Sequence, residues 1–106
     1  MLEADFQKIV VELAHRFGWK VHHSRPAMLP KGGWATHGID PGFPDLVMAH
    51  RERGIIIAEL KSEKGRISEE QLAWAIAMNS HPNIRVHFWR PSQLHEIIDK
   101  LRKGNN

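Results

Sequence analysis

The chain has 106 residues, of which 42% are hydrophobic and 25% charged, and this length suits one domain with a single core. No apolar run approaches the roughly 20 residues of a membrane helix, and the first residues lack the uninterrupted apolar stretch of a secretory signal. The chain has no cysteine, which excludes disulfides and thiolate metal sites and fits the cytoplasm. The formal net charge of +3 favours an anionic partner only weakly.

The first predicted element is an amphipathic helix over residues 2–17. Apolar residues recur there at intervals of three and four, which is the period of a helix with one buried face, and Gly18 ends it. A short strand is predicted in residues 19–25, WKVHHSR. Residues 26–42 are punctuated by Pro and Gly, which predicts a long irregular loop.

Two apolar runs then predict a hairpin. They are FPDLVMAH, residues 43–50, and GIIIAELK, residues 54–61, and the short polar link of residues 51–53 suits a tight connection. Because IIIA shows no polar alternation, we expect the second strand to be covered on both faces.

The second half of the chain predicts helix, strand and helix. Ser68 and Gln71 have the spacing of a capping box and begin a helix over residues 68–79. A strand in residues 84–89 and a helix over residues 91–103 follow. The predicted order is α-β-β-β-α-β-α, in a single α/β domain of residues 1–103 with a frayed tail at 104–106.

The hairpin brings unexpected charges together. If it turns about Glu52, residues whose numbers add up to 104 face each other, and Asp45 lies opposite Glu59. Like charges directly opposed destabilise a sheet, and a shared divalent cation with oxygen ligands would offset this. Strand alternation puts Lys61 on the same face as Glu59. Each residue alone also fits a solvated strand end or a turn, but the combination predicts a site of two acids and a base.

These residues resemble a known family. The chain is similar to the PD-(D/E)XK nuclease superfamily, and its arrangement resembles the VRR-NUC branch, whose domain occurs alone in phages and bacteria or fused to repair proteins. The resemblance covers nearly the whole chain and rests on four features: Glu3 near the start of the first helix, the PD of Pro44 and Asp45, the ELK of residues 59–61, and GRISEEQLAW, in which Gln71 matches a glutamine of the family. It implies a restriction-endonuclease-like core with a central mixed sheet flanked by helices.

The resemblance also implies hydrolysis of phosphodiester bonds with Mg²⁺ or Mn²⁺. It assigns Asp45 and Glu59 as metal ligands and the backbone carbonyl of Leu60 as part of the metal shell. Lys61 would hold the attacking water or the charge that develops on phosphate. Glu3 is a further candidate catalytic acid and metal ligand.

Glu3 competes with Glu12 on the same helix. At 100° per residue the apolar stripe centres near Phe6, Leu13 and Phe17, and Glu3 lies about 60° from that centre while Glu12 lies about 120° away on the other side. We therefore expect Glu3 to face inward and Glu12 to face solvent. A first-turn acid is also explained by the helix dipole alone.

Other polar residues have two explanations each. Gln71 either caps its helix or belongs to the site. Lys64 and Arg66, just after the site strand, are candidates for gripping DNA phosphates, and His23 and Arg25 are either substrate contacts or polar edge residues. Trp34 lies in the long loop, where it would be placed to stack on a base.

The predicted function is a metal-dependent DNA endonuclease of the cytoplasm, in a bacterium or a phage-infected cell, acting on branched DNA such as a four-way junction. Stand-alone proteins that this one resembles tend to be symmetric dimers similar to Holliday-junction resolvases, so a homodimer is expected. Two alternatives stay open: a non-catalytic nucleic-acid-binding module with the same fold, and a nuclease that prefers RNA.

Overall fold

The computed structural model describes residues 1–24, 27–28, 34–35 and 40–105, with the backbone alone for 27–28 and 34–35. Its helices are α1 (Glu3–Arg16), α2 (Glu69–Asn79) and α3 (Leu94–Lys103), with a 3-10 helix at Pro91–Gln93 before α3. Its strands are β1 (Lys20–His23), β2 (Ala27–Met28), β3 (Trp34–Ala35), β4 (Leu46–His50), β5 (Gly54–Leu60) and β6 (Val86–Trp89).

The predicted order of the main elements is confirmed, with one addition in the segment expected to be an irregular loop. β2 and β3 pair there as a separate antiparallel ribbon. Strands of two residues are too short to leave a period-2 pattern in the sequence.

The main sheet is mixed and has the strand order β1-β4-β5-β6. β4 is antiparallel to both β1 and β5, whereas β6 is parallel to β5 and is reached through α2. This four-stranded mixed sheet flanked by helices is the α/β, restriction-endonuclease-like arrangement that the sequence predicts. Because β5 and β6 are parallel, their carboxyl ends meet at one edge of the sheet.

The hairpin of β4 and β5 has the predicted register. Leu46 pairs with Ala58 and His50 pairs with Gly54, so the turn centres on Glu52. The ring Nδ1 of His50 closes it by accepting the backbone N–H groups of Glu52 and Arg53, at 3.1 Å each.

The core lies on one face of the sheet, beneath α1 and α3. Alternate residues of β5 point into it, since Ile56, Ala58 and Leu60 have no exposed surface. The remaining core residues are Phe6, Val10, Ala14, Trp19, Leu46, Met48, Trp89, Ile97 and Leu101.

The other face of β5 is less covered than predicted. Ile57 is half-buried and Ile55 is 58% exposed. The covering helix α2 buries only Ala75, so it shields this face incompletely. No helix of the described residues is long and apolar enough to span a membrane.

The prediction of a frayed C-terminal tail is wrong for Gly104 and Asn105. Gly104 is buried with φ 77°, and a Cβ there would lie 2.4 Å from Arg53. The N–H of Asn105 donates to the carbonyl of Arg53 at 2.9 Å. Because residue 104 is a glycine, the chain can approach Arg53 closely, and the hydrogen bond from Asn105 then holds it on the β4–β5 turn. Asn106 lies outside the described residues.

Candidate active site

Asp45 and Glu59 lie at the open end of the hairpin, where the carboxylate of each accepts a backbone hydrogen bond from the chain segment of the other. Asp45 directly precedes β4, and its N–H donates to Glu59 Oε1 at 3.0 Å. In return the N–H of Leu60 donates to Asp45 Oδ2, also at 3.0 Å. The two carboxylates are therefore neighbours held by reciprocal hydrogen bonds.

Burial makes this pair costly to ionise. Glu59 is 4% exposed and is the one buried polar or charged residue in the described part of the chain. Burial, reinforced by the charge of Asp45, raises the pKa of Glu59 to about 8. Burial also raises the pKa of Asp45, against a hydrogen bond from Leu60 that lowers it. The pair consequently favours an added positive charge.

Lys61 supplies positive charge beside the pair. It directly follows β5, and its N–H donates to the carbonyl of Trp89 at 2.9 Å, which extends the parallel pairing by one residue. Leu60 is fully buried in the core, so Lys61 lies on the opposite face, with Glu59. The charge of Lys61 lowers the pKa of Glu59, in opposition to burial.

Gln71 caps its helix and also contacts Glu59. Ser68 caps α2 by accepting the N–H of Gln71, and the Gln71 side-chain oxygen accepts the N–H of Ser68, which completes the predicted capping box. The side-chain nitrogen of Gln71 is directed the other way and donates to Glu59 Oε2 at 2.7 Å. The start of α2 is thereby tied to the carboxylate pair.

Glu3 and Glu12 occupy different places along α1. Both side chains are exposed, so the prediction that Glu12 faces solvent is confirmed and the prediction that Glu3 faces inward is wrong. Glu3 is the first residue of the helix, and the buried face begins only at Phe6. The charge of Glu3 nevertheless raises the pKa of Asp45. Glu12 instead lines a groove between α1 and β1.

The described residues hold no group of three or more His, Asp or Glu side chains close enough to bind a metal ion together. Glu3 is therefore not brought to Asp45 and Glu59 as a third ligand. The remaining pair still fits a hard cation, because its donors are oxygens whose ionisation is opposed by burial. Mg²⁺ is commonly held by one or two carboxylates, with water and substrate phosphates filling its other positions.

The candidate DNA contacts are distributed around this pair. Lys64 and Arg66 are exposed in the segment after Lys61. His23 ends β1, and its charge lowers the pKa of Asp45, so it lies beside the site. Arg25 and the side chain of Trp34 lie outside the described residues.

Sequence reasoning missed Arg90. Its Nη1 donates to the carbonyls of Ser62 and Glu63, at 2.7 and 3.0 Å, in the segment that follows Lys61. The available signal was topological: Arg90 directly follows β6, whose carboxyl end lies at the same sheet edge as that of β5.

Comparison with known proteins identifies the family of the chain. The family model of the VRR-NUC domain matches residues 13–92. This range includes the carboxylate pair, Lys61 and Gln71 but not Glu3. No curated protein and no solved structure matches the chain. Because the matched segment makes up about three quarters of the chain and runs from α1 to the residues after β6, the chain belongs to the VRR-NUC domain family, within the PD-(D/E)XK nuclease superfamily.

Proposed function

We propose that this nuclease-type domain is a metal-dependent DNA endonuclease acting on branched DNA such as a four-way junction, in the cytoplasm of a bacterium or a phage-infected cell. One observation carries the proposal: the buried carboxylate of Glu59 is hydrogen-bonded to the backbone N–H of the half-buried Asp45, and Lys61 lies on the same face. A domain that only binds DNA gains nothing from two acids placed where an anionic ligand must approach.

In this proposal Asp45, Glu59 and the carbonyl of Leu60 hold Mg²⁺ or Mn²⁺. When bound, such an ion lowers the pKa of its water and stabilises charge on phosphoryl oxygens. Lys61 holds the attacking water or the charge on phosphate as a point charge. Gln71 fixes the orientation of the Glu59 carboxylate through its hydrogen bond.

The surrounding basic residues hold the nucleic acid. Lys64 and Arg66 contact backbone phosphates from the exposed segment after Lys61, and His23 does so from the end of β1. Contacts of Arg25 and Trp34 with DNA stay predictions.

The proposal is tested with labelled DNA and RNA structures, each incubated with and without Mn²⁺. We expect Mn²⁺-dependent cleavage of DNA, with branched forms cut fastest. Binding without cleavage would instead support a non-catalytic module, and faster cleavage of RNA would support the alternative substrate. Cleavage that persists in EDTA would contradict the metal requirement.

The two glutamates of α1 are expected to differ. Glu3→Gln removes a charge that acts on Asp45, so it should raise the Mg²⁺ concentration needed for half-maximal cleavage. Glu12→Gln should stay close to wild type, because Glu12 lies more than two turns further along α1. Metal titrations of cleavage rate measure both, and a larger loss at Glu12 would contradict the placement of Glu3.

A homodimer belongs to the same proposal, and the outer face of α2 supports it. Leu72 and Ile76 are exposed there, Ile76 by 63%, beside the small residues Ala73 and Ala77. A helix that is apolar on all sides is ordinarily buried. An antiparallel pairing with a second copy would bury this face and bring the acidic start of each helix, Glu69 and Glu70, towards the basic segment beyond the end of the other, which contains His81 and Arg85.

We expect a mass near twice 12.2 kDa by size exclusion with light scattering, and paired incisions across a mobile four-way junction. Ile76→Glu should give a monomer that no longer makes paired incisions. Ile55→Glu is the matched control, since it changes a similarly exposed isoleucine on β5. A monomeric wild type that leaves the junction uncut would remove the dimer and junction proposals without affecting the nuclease chemistry.

A further inference from the structure

The segment that follows Lys61 forms a tight turn. The N–H of Gly65 donates to the carbonyl of Ser62 at 3.1 Å, and the exposed cations Lys64 and Arg66 lie on or just after this turn. We call residues 62–66 the basic turn. The basic turn directly follows the candidate catalytic lysine and carries the candidate DNA contacts Lys64 and Arg66, so its conformation is relevant to both.

Arg90 binds the basic turn from the neighbouring strand. A single guanidinium nitrogen, Nη1, donates to the carbonyls of both Ser62 and Glu63. Hydrogen bonds from a charged donor are stronger than those between neutral groups. Arg90 takes part in no salt bridge among the described residues, because the one found there joins Arg102 to Asp99. Its guanidinium instead donates to backbone carbonyls.

A second attachment reinforces the first. The carboxylate of Glu63 accepts the N–H of Ser92 at 3.0 Å and its hydroxyl at 2.5 Å, and these bonds lower the pKa of Glu63. With the bond from Lys61 N–H to Trp89, residues 61–63 are fastened at each position to residues 89–92.

We propose that Arg90 is a positioning residue that holds the basic turn and thereby fixes the Lys61 side chain beside Asp45 and Glu59. This inference rests on the proposed nuclease function. Without the guanidinium, the carbonyls of Ser62 and Glu63 lose their shared donor. The turn then keeps only the bonds of Lys61 to Trp89 and of Glu63 to Ser92 among these attachments, and its backbone is held less firmly. A displacement of about 1 Å in a catalytic group can cost on the order of 100-fold in rate.

The test compares Arg90→Ala with Arg102→Ala, which removes an exposed arginine of α3 from an ion pair far from the turn in sequence. We expect kcat at saturating DNA and Mn²⁺ to fall about tenfold or more in Arg90→Ala and to be unchanged in Arg102→Ala. Arg90→Lys should recover part of the loss, because an ammonium retains charge and donors but lacks the planar fork.

Hydrogen exchange supplies a measurement that does not depend on activity. The amides of Lys61 and Gly65 should exchange faster in Arg90→Ala than in wild type, since local opening exposes them, while Arg102→Ala should leave both unchanged. The melting temperature of each variant shows whether that variant is folded at the temperature of the assay.

Several results would overturn the inference: a folded Arg90→Ala protein with kcat within twofold of wild type, unchanged exchange at both amides, or a lysine variant no more active than the alanine variant. If Arg90→Ala does not fold, Arg90→Lys decides, and wild-type kcat with wild-type exchange would count against the proposal. If the wild-type protein cuts no nucleic acid, the proposed function fails, and exchange alone then decides whether Arg90 holds the turn.

Discussion

Lys61→Ala and Asp45→Asn should each lower the rate of DNA cleavage on the order of 100-fold or more, the loss typical of removing one group that stabilises transition-state charge. Lys61 is proposed to act on the reacting phosphate, and Asp45 to hold the metal ion. Neither residue belongs to the hydrophobic core, so folding and DNA binding should be largely retained. Cleavage assays, with circular dichroism and binding measurements on the same samples, check this.

Lys64→Ala is the matched control for the lysine. Lys64 is exposed on the basic turn, so its loss should weaken binding across all DNA sequences and reduce the salt dependence by about one phosphate contact. It should leave kcat near wild type. A folded Lys61→Ala protein that cuts at the wild-type rate would show that the site has been assigned wrongly.

The second large effect concerns the stability of the metal-free protein. Its free energy of unfolding should decrease as pH rises from 6.5 to 8.5. The pKa of Glu59 is about 8 in the folded chain, above its ordinary 4.5, so between these values the folded state binds more protons than the unfolded state. Stability then falls with pH, by up to about 1.4 kcal/mol per pH unit for one proton.

The pH range avoids an opposing effect from His87. Burial, with the charges of Lys100 and Arg85, lowers the pKa of His87 to about 4 from 6.5. Its contribution to stability is therefore complete above pH 6.5 and is lost only below that value. Denaturant titrations at several pH values in EDTA measure the slope in the window where Glu59 dominates.

Glu59→Gln should flatten this slope, because glutamine does not titrate. Mn²⁺ should raise the melting temperature of wild type at pH 8, since binding to the folded state stabilises it, and should do so much less in Glu59→Gln. Glu63→Gln, which changes an exposed carboxylate, should keep the wild-type slope and metal response. A wild-type slope retained in Glu59→Gln would mean that another group titrates.

Local patterns predicted much of the fold and the site. The three-residue polar link centred on Glu52 was enough to predict the register that places Asp45 beside Glu59. Ser68 and Gln71 predicted the capping box at the start of α2. These features depend on neighbours in sequence and on strand alternation, which leave regular traces in the chain.

Contacts between distant side chains and backbone groups left no such trace. Arg90 binds carbonyls 27 and 28 residues away, and Asn105 binds the turn at Arg53, yet neither residue belongs to a periodic pattern. The second role of Gln71 was suggested by family resemblance, since its bond to Glu59 depends on where α2 crosses the sheet. Tertiary placement of this kind is not encoded in spacing.

The reciprocal bonds between Asp45 and Glu59 also have a consequence for how the site assembles during folding. They join residues 14 and 15 positions apart, whereas the contacts of Arg90 with the basic turn close loops about twice as long. Loop-closure entropy rises with loop length, although slowly, and local contacts form faster than distant ones. The carboxylates therefore require only a closed hairpin to meet, while the conformation of the chain beyond Lys61 must wait until β6 has docked.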